Sequence, residues 1–453
     1  MTKQKLSRRS VLKLFGVGSA SVALAACAAP VAQAPSGEGA AQPGEEGVVL
    51  RYMERAGTLG EFMRHGSRIY EEQNPGITVQ NESTGWGDLT SKVPTFVAAG
   101  TMADLAFQHN AFMLPELAKK GAWMEVTPMA EGDGHDFGIY YPFAVEALKL
   151  GPEDEMVAMP MGIHFGENDV MWNVEMLQEL DVPEPTPDMA LDEFTDLLIT
   201  IQEKLPEGSF AGYFSNSIWG MEAHSRSFGG HIIDNTRTQC GLNLPETVDA
   251  HQWLINLIHD HKVVPTRDDV LENHKSMFYT GLLAIDSNTA PNVWVGFQQA
   301  TEGRFTLGHM VWPHGGDTTA GITPSVDATV IFGETQYPDE SWGLAKMISS
   351  FEISKWAAVS ENHMTPGAVI DAWHDAEVWE ENPPYKNLAE VWDTLTTDDF
   401  GSVPVPANTR KGEFWDLYNN EWPAMREGDK EFSEGNINAL HDDLQAIMDK
   451  PLP

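Results

Sequence analysis

From Val48 onward, short apolar runs alternate with longer segments whose apolar residues recur at helical spacing, and this alternation limits the fold more than any other feature. Val48–Met53 reads as a strand. Thr58-Leu59-Gly60-Glu61 has the form of a capping box at the head of a helix running toward Gln73, which Asn74-Pro75-Gly76 stops. Ile77–Asn81 is the next strand, Asp88–Ala99 a helix ended by Gly100, Asp104–Phe107 a short strand, and Ala111–Lys120 a helix with Gly121 placed as its C-cap. Strands separated by helices imply an α/β fold with a parallel sheet. Ligands of such sheets gather beyond the carboxyl ends of the strands, which singles out the loops Glu54–Gly57, Ser83–Asp88 and Gln108–Phe112.

The chain of 453 residues exceeds one ordinary core, since domains usually hold about 50 to 250 residues. Met159–Asn173 reads as the place where it leaves one lobe for another: strand patterns precede it and a fresh helix start follows. A segment crossing between lobes lies at the floor of a cleft, where ligands bind. The expected division is a signal segment over 1–27, a tether over 28–47, a first lobe from 48–162 and 315–370, and a second from 163–314 and 371–453.

The first residues read as an address. Lys3, Lys5, Arg8, Arg9 and Lys13 make a positive n-region, and Leu14–Ala26 is an apolar stretch too short for a stable span. Ser7-Arg8-Arg9-Ser10-Val11-Leu12-Lys13 resembles a twin-arginine export signal, and Leu24-Ala25-Ala26-Cys27 resembles a bacterial lipobox, which implies a lipidated Cys27 and a membrane-anchored, extracytoplasmic protein. Ala28–Gly47, rich in Ala, Pro, Gly and Glu, reads as a flexible tether. A formal charge of -39, from 28 Lys+Arg against 67 Asp+Glu, repels phosphate backbones and anionic lipid and argues against nucleic acid as a partner. Two cysteines, Cys27 and Cys240, build neither a disulfide framework nor a cysteine zinc site.

An ordered series of segments resembles the family 1 extracellular solute-binding proteins. It begins with Glu71-Glu72-Gln73-Asn74-Pro75-Gly76-Ile77-Thr78-Val79 and Phe96-Val97-Ala98-Ala99-Gly100-Thr101-Met102-Ala103-Asp104-Leu105. Val157-Ala158-Met159-Pro160 and Met171-Trp172-Asn173-Val174-Glu175-Met176-Leu177 continue it, with Trp172 where the family usually has Tyr and Ala103 where it usually has Pro. Phe228–Asp234, Leu244–Ala250, Lys262–Pro265, Ser276–Ile285, Phe305–Pro313 and Glu340–Ala345 follow in the family's order. The resemblance implies a type II-like periplasmic-binding-protein fold of two lobes, with a hinge and an interlobe ligand cleft. It further implies a non-enzymatic receptor, without cofactor, that closes on a sugar or sugar-like solute and hands it to the membrane permease of an ABC importer.

Sugars offer hydroxyl edges and flat C–H faces, so their binders pair polar side chains with aromatic platforms. The loop tryptophans Trp86, Trp219, Trp294 and Trp312 are candidate platforms, whereas Trp253, Trp342, Trp356 and Trp415 fall in helical patterns and read as core. Candidate polar contacts are Glu54 and Arg55 after the first strand, His109 and Asn110 after the third, and His164 and Glu167 in the crossing. Asp286 at a strand end and Asp327 near a return crossing complete the set. No metal site is expected, because His259-Asp260-His261 lacks the spacing and companion Glu of a zinc motif. Two alternatives stay open: a secreted glycan-active hydrolase, since 67 acidic residues can supply a carboxylate pair, and a polymer-binding surface lipoprotein without transport.

Overall fold

The computed structural model describes residues 47–112, 114–164, 169–186, 189–270, 273–287, 304–313, 323–360, 365–381, 389, 392–393 and 404–452. The export signal, Cys27, the tether, Glu167 and Trp294 lie outside the described residues. Nine strands occur among them: β1 (Val48–Arg55), β2 (Ile77–Thr84), β3 (Leu105–His109), β4 (Met159–His164), β5 (Asp169–Asn173), β6 (Phe210–Phe214), β7 (Leu283–Ser287), β8 (Leu307–Val311) and β9 (Ser325–Ile331).

They form two sheets, one ordered β2-β1-β3-β9-β4 and the other β6-β7-β5-β8. In the first, β1 runs parallel to β2 and β3, as the strand–helix alternation predicts. It is nonetheless mixed, because β9 inserts antiparallel between β3 and β4. This strand, which the sequence reading did not mark, returns from the second sheet and meets the first from the opposite direction. Consecutive strands β4 and β5 lie in different sheets, as do β8 and β9, so the chain passes between the sheets at both places.

Each sheet has its own core. Leu50, Phe62, Phe107, Val326 and Trp342 belong to the first, and Phe194, Phe214, Trp312, Tyr418 and Trp422 to the second. Trp373 and Trp392 also pack in the first core, Trp392 with its ring 5.1 Å from Phe143. The expected change of lobe at 370 therefore falls too early; the second core takes up the chain again at Phe414.

The helix Thr58–Gln73 buries Phe62, Met63, Gly66, Ser67 and Tyr70, one face at the spacing of helical turns. Its capping box does not form: Gly57, at φ 94°, is the N-cap, and Glu61 reaches Arg64 at 2.7 Å instead. Trp172, the residue that departs from the family's Tyr, has room because Gly308 faces it across β5 and β8; a Cβ on Gly308 would lie 1.9 Å from the indole. The Trp172 Nε1 proton is donated to Glu184 at 2.9 Å.

Candidate functional site

The register of three strands assembles a polar floor. His109, the last residue of β3, is paired with Asp327 of β9, and Ser325 of β9 with His164 of β4. Because side chains alternate across a strand, Ser325, Asp327 and Thr329 share one face of β9, while Val326, Ala328 and Val330 share the other. That polar face is buried. Ser325 Oγ lies 2.7 and 2.9 Å from the two ring nitrogens of His164, and Tyr52 and Thr329 share a hydroxyl–hydroxyl bond of 2.9 Å. The Ala111 N–H is donated to His109 Nδ1 at 3.0 Å, so the proton of the neutral ring sits on Nε2 and makes it a donor. One oxygen of Asp327 is 3.9 Å from His164 Nε2, and the other, Oδ1, has no hydrogen-bond partner.

Burial decides the charge of this floor. It holds His164 down to about 3, with Arg55 adding to the effect. It also keeps His109 well below the usual imidazole range, aided by His164, Arg55 and Lys411. The same desolvation pushes Asp327 up to about 7, against the pull of Arg55. Near neutrality the floor thus offers two uncharged imidazoles and a carboxyl group close to its midpoint, a set of donors and acceptors more than a set of charges.

An aromatic wall stands beside it, drawn from both cores. Trp86 opens the helix Trp86–Ala98, and Phe112 follows β3. Trp219 lies in the first turn of the helix Ile218–Ser227, which Ser217 caps by accepting the Gly220 N–H at 3.1 Å, and Trp415 in the helix Lys411–Arg426. Phe112 is the hub, with ring centres 4.9 Å from Trp86, 5.7 Å from Trp219 and 5.4 Å from Trp415. His109 joins wall to floor, 6.0 Å from Trp86, 5.7 Å from Trp219 and 5.4 Å from His164. Trp219 Nε1 donates to Thr323 Oγ1 at 2.8 Å, tying a helix of the second core to the entry of β9. Two cations rest on the rings: the Arg55 guanidinium 4.9 Å from Trp86, and Lys411 Nζ 3.9 Å from Phe112 and 4.9 Å from Trp415.

His109, His164 and Asp327 are also the one group among the described residues with ligand atoms close enough to share a metal, all within 4.8 Å. Their arrangement fits a cation poorly. Zinc bonds near 2.0 Å put tetrahedral ligands about 3.3 Å apart, less than the 3.9 Å from His164 to Asp327. In addition, His109 presents an N–H on the nitrogen left over by its bond to Ala111.

Six of the expected contacts meet here: Arg55, Trp86, His109, His164, Trp219 and Asp327. Asp327 does so from within a strand, not beside a crossing loop. The other described candidates go elsewhere, while Glu167 and Trp294 lie outside the described residues. Glu54 is fully buried against Arg64. Asn110 ties its loop to β9, its Oδ1 accepting the Val326 N–H at 3.1 Å. Asp286 binds His274 Nδ1 at 2.9 Å, and that ring stacks on Tyr213. Trp312 is a core residue, packed on His224, Phe194 and Phe214. Phe112, Ser325, Lys411 and Trp415 were not anticipated. Trp415 in particular was expected in the core, and only the polar–apolar alternation of 325–330 hints at the floor.

A two-sheet α/β fold with a polar and aromatic cluster between two cores is that of a periplasmic-type binding protein. Residues 54–352 match the family model for bacterial extracellular solute-binding proteins, and the chain belongs to that family of non-enzymatic receptors. Solved structures agree in fold. An ABC substrate-binding protein of Listeria monocytogenes in complex with cycloalternan superposes with a TM-score of 0.75 at 18% identity, over 89% of this chain and 99% of that one. The sugar-binding protein MalE of Xanthomonas citri gives 0.71 at 14% identity, over 88% and 97%. UgpB of Mycobacterium tuberculosis, in complex with glycerophosphocholine, gives 0.73 at 16% identity, over 90% and 99%. The family places the work of the chain outside the cytoplasm, on small solutes.

Proposed function

We propose that this chain is the receptor of an ABC importer for a sugar or sugar-like solute, binding it between the two lobes and delivering it to the permease. The observation that carries the reading is the meeting of Trp86, Phe112, Trp219 and Trp415 with the buried polar groups of His109, His164 and Asp327. Indole and phenyl faces suit the C–H faces of a pyranose, and neutral imidazoles beside a carboxyl group suit its hydroxyls. The lobes in this reading are the two cores, joined where β4 leads to β5 and β8 leads to β9. The lipobox-like Leu24–Cys27 and twin-arginine-like Ser7–Lys13 segments support export and a lipid anchor at Cys27.

A thermal-shift screen against neutral sugars, acidic sugars, polyols, amino acids and metal ions tests the solute class. A ligand that binds only the folded form stabilises by about 2.7 kcal/mol at a hundredfold excess over Kd. A shift with a carbohydrate and no product formed is the expected result; shifts only with amino acids or metals would overturn the solute class. Fractionation of Cys27→Ser tests the anchor, which predicts that this variant leaves the membrane.

A further inference from the structure

We infer that the solute carries an acidic group, a carboxylate or a phosphate, held between Arg55 from one side of the cleft and Lys411 from the other. The inference rests on the sugar-like receptor reading and narrows it. In a chain with 67 acidic residues and 28 basic ones, cations find carboxylates easily: Arg51, Arg64, Lys119, Arg226 and Lys355 each do. Among the described residues, Arg55 and Lys411 have no carboxylate oxygen within 4.0 Å, a condition they share with Arg68, Lys204, Arg237 and Lys262; what sets these two apart is the aromatic wall on which they rest. Both are half-buried, and both lie on aromatic faces of the same wall. They come from different cores, Arg55 at the end of β1 and Lys411 at the start of the helix Lys411–Arg426.

The position of Lys411 is itself informative. A cation at the first residue of a helix opposes the helix dipole, whereas an anion there is favoured. Arg410 is the N-cap of this helix and supplies no side-chain cap, and Glu413, the acid of its first turn, is paired with Arg410 and Lys450, so its first amides, like the ammonium group, suit a negative charge. The opposing charges are few. Asp416 and Glu116 act on Lys411 from beyond ion-pair distance, without preventing burial from lowering its amine to about 8. Among the described residues of the floor, Asp327 is the one carboxyl group, with an oxygen that lacks a partner. Among the described residues, two cations against one half-ionised acid make this cluster locally positive in a strongly negative protein. A guanidinium on an indole keeps its in-plane donors for a carboxylate or phosphate.

Calorimetric titration of the intact protein with matched pairs decides the matter: glucose with glucuronate, galactose with galacturonate, and glucose with glucose 1-phosphate, each at low and high salt. The acidic member of at least one pair should bind about tenfold tighter or better, as a charge-assisted contact implies, with an affinity that falls as salt rises. Whether a uronate or the phosphate gives the gain tells carboxylate from phosphate. Arg55→Gln and Lys411→Gln should each erase the preference without moving the melting temperature of the free protein. Neutral members binding as tightly as acidic ones, or a preference that survives both substitutions, would overturn the inference and leave the sugar receptor standing. If a variant fails to fold, the salt dependence of the unaltered protein still decides, because a neutral contact does not respond to it. Silence from every sugar, neutral and acidic, would remove the receptor reading and this inference together.

Discussion

Glu54 has no exposure to solvent, and its charge depends on Arg64, whose guanidinium also reaches Glu61 at 2.7 Å. Burial pushes the Glu54 carboxyl up, and Arg64 pulls it back. Replacing Arg64 by Ala strands a buried acid, and removing one partner of such a pair costs about 3 kcal/mol, the low end of the range because Arg64 keeps some contact with water. Urea unfolding at neutral pH measures this; a loss under about 0.5 kcal/mol, the scale of an ordinary surface change, would mean that water reaches Glu54. The same pair shows how far residues could be read in advance. Glu54 and Arg55 both follow from the rule that ligands gather at strand ends, but neighbours on a strand point to opposite faces, so only one joins the cluster. His109 and Asn110 divide in the same way, one to the floor and the other to the backbone of β9. Sequence position selects the loop, and the pleat selects the residue.

The helix Ile218–Ser227 is buried along almost its whole length although half its residues are polar. Glu222 is satisfied there, accepting the Ile232 N–H at 2.6 Å, the Ile233 N–H at 3.2 Å and Arg226 Nε at 2.6 Å. His224 is not: its ring stacks 4.3 Å from Trp312 and neither nitrogen has a hydrogen-bond partner. In the adjacent helix Pro245–His259, His251 donates from Nδ1 to Thr247 O at 2.7 Å and accepts from the Tyr418 hydroxyl at 2.6 Å. Burial lowers His224 to about 3 and His251 to about 4. The unfolded chain, with its histidines near 6.5, therefore binds protons that the folded chain refuses. Stability is full above about 6.5 and falls as pH drops toward those folded values, by about 1.4 kcal/mol per pH unit for each histidine. His224→Leu should flatten that slope in urea titrations taken between neutral and mildly acid pH, and should stabilise at neutral pH by removing two unpartnered buried nitrogens. An unchanged slope would mean that protons reach His224 in the folded state. At this scale the parallel strands and their helices were legible because periodicity is local. Strand β9 was missed because its Ser-Asp-Thr face looks solvated in the sequence, whereas β9 is paired on both edges by β3 and β4 and that face is buried.

The whole molecule adds what neither residues nor elements contain, the meeting of two cores. Phe112 and Trp415 lie about three hundred residues apart in the chain, and no spacing rule could pair them; the two passages between sheets do. Among the described residues, contacts between the two sides include Trp219 with Thr323 and Phe112 with Trp219 and Trp415. On the receptor reading proposed above, a solute that touches both sides adds to these contacts only when the lobes are together, and would shift the population toward a closed form by the difference in its contacts with the two forms. Two measurements must then agree. Small-angle scattering should give a smaller radius of gyration with a saturating sugar than without it. Trp219→Ala, which deletes a platform and the bond to Thr323, should bind the same sugar about tenfold more weakly, the loss expected for one aromatic contact, and compact less at equal occupancy. If the radius does not change at saturation while Trp219→Ala still loses affinity, the wall binds solute but the lobes do not move, and delivery to the permease must depend on the bound surface and not on closure.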